Sequence, residues 1–150
     1  MMINFSCYNT FVTVNMFLIN HSEEKISKLL SSIGQPARIQ ILIVIGEQEA
    51  CVCHLETVLG IRQASISQHL MVLRKAGLVA TQREGRNIFY RLTHPEVIDL
   101  LEQAAHLIGI NPETLRSLSS RPVPDCPCPQ CNPGMDPKLT CQKASATKSS

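Results

Sequence analysis

The sequence predicts an α+β domain that is mainly helical with one small β-hairpin, and three observations carry that expectation. Apolar residues recur at helical spacing over 22–33, 36–45, 51–59, 63–76 and 95–108, the pattern of helices that bury one face. Glycines close the first four of these segments, at Gly34, Gly46, Gly60 and Gly77, where helices commonly stop. Between the fourth and fifth, two β-prone runs flank Arg83-Glu84-Gly85-Arg86-Asn87, which reads as a tight turn joining two strands.

Each element has its own local signal. Ser22 before Glu23 and Glu24 is a helix start with acids in the first turn, and Ile26, Leu29, Leu30 and Ile33 give its stripe. Pro36 sits at the first turn of the second helix, which is apolar almost all round and therefore predicted to be central. The third helix, 51–59, is short. In the fourth, Ile66, Leu70 and Leu73 point inward, while Gln63, Ser65, Ser67, Gln68 and His69 occupy the other face. Strands are expected at 78–82 and 88–92, with Phe89 and Tyr90 in the core of the hairpin. Pro95 opens the fifth helix, whose stripe of Val97, Leu100, Leu101, Ala104, Leu107 and Ile108 is broad enough to bury against a partner helix.

At 150 residues the chain accommodates one compact domain with flexible ends. It is expected to divide into an N-terminal arm, 1–20, a winged helix-turn-helix DNA-binding domain, 21–108, and a flexible cysteine-containing tail, 109–150. The first twenty residues carry no charge, but Asn4, Asn9, Asn15 and Asn20 interrupt the apolar run and no basic residue precedes it. That pattern suits neither a signal peptide nor a membrane span, so a cytoplasmic protein is expected. Residues 1–20 read either as an arm or as an extension upstream of a start at Met16.

Net charge is only +2, yet 61–92 holds six basic residues (Arg62, Arg74, Lys75, Arg83, Arg86, Arg91) against the single acid Glu84. A local positive excess of this kind suits a surface that meets phosphate. Two short helices joined by three residues around Gly60, followed by a hairpin, have the spacing of a winged helix-turn-helix. Double-stranded DNA is the partner this implies. Gln63, Ser65, Ser67, Gln68 and His69 would read base edges in the major groove. Arg74 and Lys75 at the helix end and Arg86 at the hairpin tip would meet phosphates or the minor groove. Taken singly, each such residue is more often part of a solvated helix face; as a set, beside the basic wing, they point to DNA.

Four motifs in order carry a family resemblance. They are Pro36-Ala37-Arg38-Ile39-Gln40-Ile41-Leu42, Cys51-Val52-Cys53-His54-Leu55, the run from Gln63 to Val79, and Gly85-Arg86-Asn87-Ile88-Phe89-Tyr90-Arg91-Leu92. Over residues 22–108 the chain resembles the ArsR/SmtB, or arsenic-repressor, family. The resemblance implies a homodimeric transcriptional repressor, dimerising through its first and last helices, that leaves its operator when an inducer binds.

Of seven cysteines, Cys51 and Cys53 match paired thiols that some members of that family use for thiophilic ions: arsenite, antimonite, cadmium, lead or zinc. Soft thiolates select soft ions as a class without naming one. Residues two apart on an ideal helix point roughly 200° apart, so one ion reaches both sulfurs only where the helix start is distorted. Cys51 with His54, at i and i+3, is the undistorted alternative. The position three beyond Cys53, a third cysteine in some arsenite sensors, is Glu56. Of the positions matching the family's last-helix zinc site, His94 and Glu96 can ligate whereas Leu107 and Ile110 cannot, so that site is not expected. A third thiolate is sought in the tail, at Cys126, Cys128 and Cys131, or in Cys7; Cys141 also lies in the tail. Without an export signal, metal or redox chemistry suits these cysteines better than a disulfide scaffold.

The function expected is therefore operator binding relieved by thiolate ligation of a metal or metalloid ion, with no organic cofactor. A thiol redox-sensing regulator of the same fold is the alternative. An enzyme using Cys51 or Cys53 with His54 is disfavoured, because no oxyanion device, phosphate loop or carboxylate pair accompanies them. A storage or trafficking module built on the tail is a fourth possibility.

Overall fold

The computed structural model describes residues 21–136 and Thr140, so the N-terminal arm, Cys7 and Cys141 lie outside the described residues. The chain divides into two units, 1–34 and 35–150. In the first, α1 spans 21–33 and ends where the Gly34 N–H donates to the Leu30 carbonyl at 2.8 Å. Ile26 and Leu30 are exposed on it.

The second unit is built around α2, Pro36–Ile45, where Ile41, Leu42, Ile43, Val44 and Ile45 are all buried. The all-round apolar pattern correctly marks it as the central element. Proline at its first turn lacks only an N–H that the helix would leave unbonded anyway. Helices α3, Val52–Leu59, and α4, Gln63–Lys75, pack against it and against each other. Leu55 of α3 and Ile66, Leu70 and Leu73 of α4 complete the core, each at most 1% exposed. Gly60 closes α3 in the left-handed region, at φ 64°, and donates its N–H to the Glu56 carbonyl. Three residues later α4 begins.

A three-stranded antiparallel sheet follows, in the order β1-β3-β2. Strands β2, Val79–Glu84, and β3, Asn87–Leu92, form the expected hairpin, with Glu84 opposite Asn87. The turn is Gly85-Arg86, and Gly85 has φ 58°, at the position where one hairpin-favouring turn type requires glycine. Strand β1, Ala50–Cys51, pairs Ala50 with Tyr90 and Cys51 with Phe89, and is not foreshadowed by the sequence. Two residues are too few to show a period, and they merge in the sequence with the helix that follows. The fold is thus a winged helix-turn-helix: two short helices with a wing straight after them.

Helix α5, Glu96–Leu107, splits the broad stripe read from sequence. Val97, Leu101 and Ala105 are buried, whereas Leu100, Leu107 and Ile108 are exposed. Beyond it come α6, Pro112–Arg116, and a 3-10 turn, Ser117–Ser119, which pack on α5 and α2. Arg116 clasps Glu102 of α5 through two hydrogen bonds of 2.6 and 2.8 Å. The chain then returns to α3, where Cys126 and Cys128 are buried.

Candidate DNA interface and thiolate site

Burial of Ile66, Leu70 and Leu73 fixes which side of α4 faces outward. Gln63, Ser67, Gln68, Arg74 and Lys75 are exposed and Ser65 and His69 half-buried. Gln63 is engaged: its Nε2 donates to Glu56 Oε2 at 2.9 Å, tying the start of α4 to α3. Arg86, at the turn of the hairpin, is exposed. The face and the wing tip read from sequence as DNA-contacting are therefore both open to solvent in the chain.

The cysteines sit at the start of α3. Cys51 is not helical: its φ and ψ of −85° and 164° are extended, and it caps α3 from β1. The helix expected from residue 51 thus starts one residue later, because Cys51 gives its backbone to the sheet. That is the distortion that the Cys-x-Cys spacing demands. The Sγ atoms of Cys51 and Cys53 lie 2.8 Å apart, and both residues are buried. Cys53 is disulfide-bonded, so it becomes a thiolate ligand only on reduction.

Three tail cysteines converge on the same place. Cys51, Cys53, Phe89, Cys126 and Cys128 form one buried cluster, with Val123 and Cys131 packed against it. His54, fully buried, directs Nδ1 at Cys126, Cys131 and Cys128, with Sγ distances of 3.3, 3.5 and 3.7 Å. The sequence pairs His54 with Cys51 by helical spacing; the fold turns its imidazole to the tail instead. The tail loop is held by Asn132, whose Nδ2 donates to the carbonyls of Cys126 and Cys128 at 2.6 and 3.1 Å. Cys128 is the thiol most readily ionised, brought down to about 3, first by hydrogen bonding from Cys51. The same contact pushes Cys51 up, reinforced by burial. Burial also raises Cys131, and raises Cys126 to about 12. Among Cys51, Cys126, Cys128 and Cys131, ionisation is thus favoured at Cys128 and disfavoured at the other three.

A winged helix-turn-helix with an open reading face defines the class of the molecule: a DNA-binding regulator. Residues 35–81 match the model of the bacterial regulatory protein family arsR. A biofilm growth-associated repressor of Agrobacterium fabrum is 40% identical over 89 residues, 59% of this chain and 75% of that protein. The crystal structure of NolR from Sinorhizobium fredii superposes with a TM-score of 0.56 at 30% identity, covering 61% of this chain and 91% of that one. Reduced HlyU from Vibrio cholerae gives a TM-score of 0.55 at 33% identity, covering 61% and 96%. The chain belongs to the arsR family of bacterial regulatory proteins. Among the described residues no helix is long and apolar enough to cross a membrane.

Proposed function

We propose that the protein is a cytoplasmic, homodimeric transcriptional repressor that releases double-stranded operator DNA when a thiophilic ion binds its clustered thiolates. The ion class is arsenite or antimonite, or cadmium, lead or zinc; no organic cofactor and no catalytic step belong to the reading. Gln63, Ser65, Ser67, Gln68 and His69 read bases, and Arg74, Lys75 and Arg86 hold phosphates. Cys51, Cys53, Cys126, Cys128 and Cys131 supply the thiolates.

One observation carries the regulatory part. Cys51 lies in β1, paired across the sheet with Phe89 of the wing strand, while Cys53 lies in the first turn of α3, the helix leading into α4. An ion ligated by both sulfurs acts on the wing and the reading helix at once. The coupling required is modest, on the order of 1–3 kcal/mol between the two sites. Dimerisation is supported by the exposed Leu100, Leu107, Ile108 and Ile110 at and beyond α5, and separately by Ile26 and Leu30 on α1.

A thiol redox switch is the second reading, favoured by the disulfide at Cys53 beside the Cys51 sulfur. Mobility of a labelled upstream DNA fragment separates the two. The reduced protein retards the fragment, and arsenite, cadmium, lead or zinc restores its mobility. Release by peroxide alone, with every ion inert, supports the redox reading instead. Absence of any DNA retardation overturns both.

A further inference from the structure

Within the thiolate cluster, four atoms form a closed set of their own. The geometry points to a tetrahedral centre for a zinc-class divalent ion, made by His54 Nδ1 and the sulfurs of Cys126, Cys128 and Cys131, that pins the C-terminal segment to α3. The inference shares sulfurs with the proposed sensor but does not need its regulatory claim, since an ion held there fastens the tail whether or not DNA is released.

Distances support it first. Zinc–sulfur and zinc–nitrogen bonds arranged tetrahedrally place the nitrogen about 3.5–3.6 Å from each sulfur. The three observed separations are 3.3, 3.5 and 3.7 Å. All four donor atoms lie within 4.8 Å of one another, against about 3.8 Å between sulfurs in a filled shell, so small rotations of the thiols close it.

The second argument is one of hydrogen-bond capacity. A single ring nitrogen donates or accepts one hydrogen bond, yet three sulfurs surround Nδ1. The imidazole is fully buried, and its other nitrogen, Nε2, has no partner among the described residues. Burying so polar a ring is costly without compensation, and a bond from Nδ1 to a cation offsets the cost at that nitrogen, leaving Nε2 to carry the ring proton. Backbone geometry adds a third support: the Cys131 N–H donates to Cys128 Sγ at 3.3 Å, the kind of outer hydrogen bond that steadies a ligating thiolate.

Donor chemistry selects the ion class. Three sulfurs and one imidazole are a usual structural zinc set, with ligands Cys-x-Cys-x-x-Cys from one loop and a distant histidine. Arsenite, content with thiolates, has no use for the nitrogen. In the filled site three thiolates stand against two positive charges, and any protons the thiols still hold pass to solvent.

Cobalt(II), a spectroscopic probe for such sites, tests this on the reduced full-length chain. The expected result is one cobalt per protomer with the intense visible absorption of tetrahedral thiolate ligation, displaced by zinc. His54→Ala and Cys131→Ser each lose that spectrum, and the tail of each becomes open to limited proteolysis. Because His54 is fully buried, its variant is first checked by circular dichroism; if it does not fold, the half-buried Cys131 carries the test. Cys51→Ser/Cys53→Ser retains the spectrum. Failure of the wild type to bind cobalt or zinc, or a spectrum unaffected in Cys131→Ser, overturns the proposal. So does one lost only in the Cys51/Cys53 variant. None of these outcomes bears on ion-dependent DNA release, which fails separately if no ion frees the operator.

Discussion

His54 Nδ1 stands 3.3 Å from the sulfur of Cys126, a residue 72 positions further along the chain. The contact brings the segment after α6 back to the start of the helix-turn-helix. Whatever occupies that cluster is therefore within one helix of the surface proposed to read DNA.

Replacement of Gln68 by Ala weakens specific operator binding by about 1–3 kcal/mol, the discrimination of one good base contact, and leaves non-specific binding nearly unchanged. Gln68 is exposed on α4, so the thermal melting temperature stays at the wild-type value. Competition between operator and random-sequence DNA measures the effect. Equal losses on both DNAs contradict the assignment.

Arg86→Ala separates phosphate contact from base reading. An exposed cation at the wing turn that neutralises one phosphate lowers the slope of log affinity against log salt by about one unit. Binding titrations at several salt concentrations give the slope; an unchanged slope removes Arg86 from the interface.

Phe89→Ala tests the link between wing and thiolate cluster. Phe89 is 3% exposed, lies opposite Cys51 in the sheet and packs in the cysteine cluster. Removing a buried aromatic ring costs about 3–5 kcal/mol of folding stability, read by denaturant unfolding. A loss below about 1 kcal/mol would mean the wing carries no packing load there.

Leu107 and Ile108 are 84% and 73% exposed, an arrangement suited to burial against a second copy. Leu107→Glu is expected to give a folded monomer by sedimentation, with weakened operator binding. A dimer unaffected by the change places the interface elsewhere.

The helices were legible because their signals are local. Pro36 and Gly46 bracket the core helix, and the spacing of Ile66, Leu70 and Leu73 fixes which face of α4 is buried. The thiolate site was legible only in pieces. Cys51 and Cys53 lie in a recognisable spacing, but β1 is defined by pairing with a strand almost 40 residues away, which no local pattern records. The tail's Pro, Ser and Asn give no periodicity, so its return to His54 could not be read from sequence. A buried histidine directly after a cysteine pair was the available signal, and helical spacing pointed it to the wrong partner.

The central claim is that ligation at Cys51 and Cys53 is coupled to release of DNA. Fluorescence anisotropy of a labelled operator fragment, with reduced wild-type and Cys51→Ser/Cys53→Ser proteins titrated with arsenite and cadmium, tests it most directly. Both proteins bind the fragment with similar affinity, and only the wild type lets go as ion is added. A double variant released at the same ion concentration as the wild type contradicts the account.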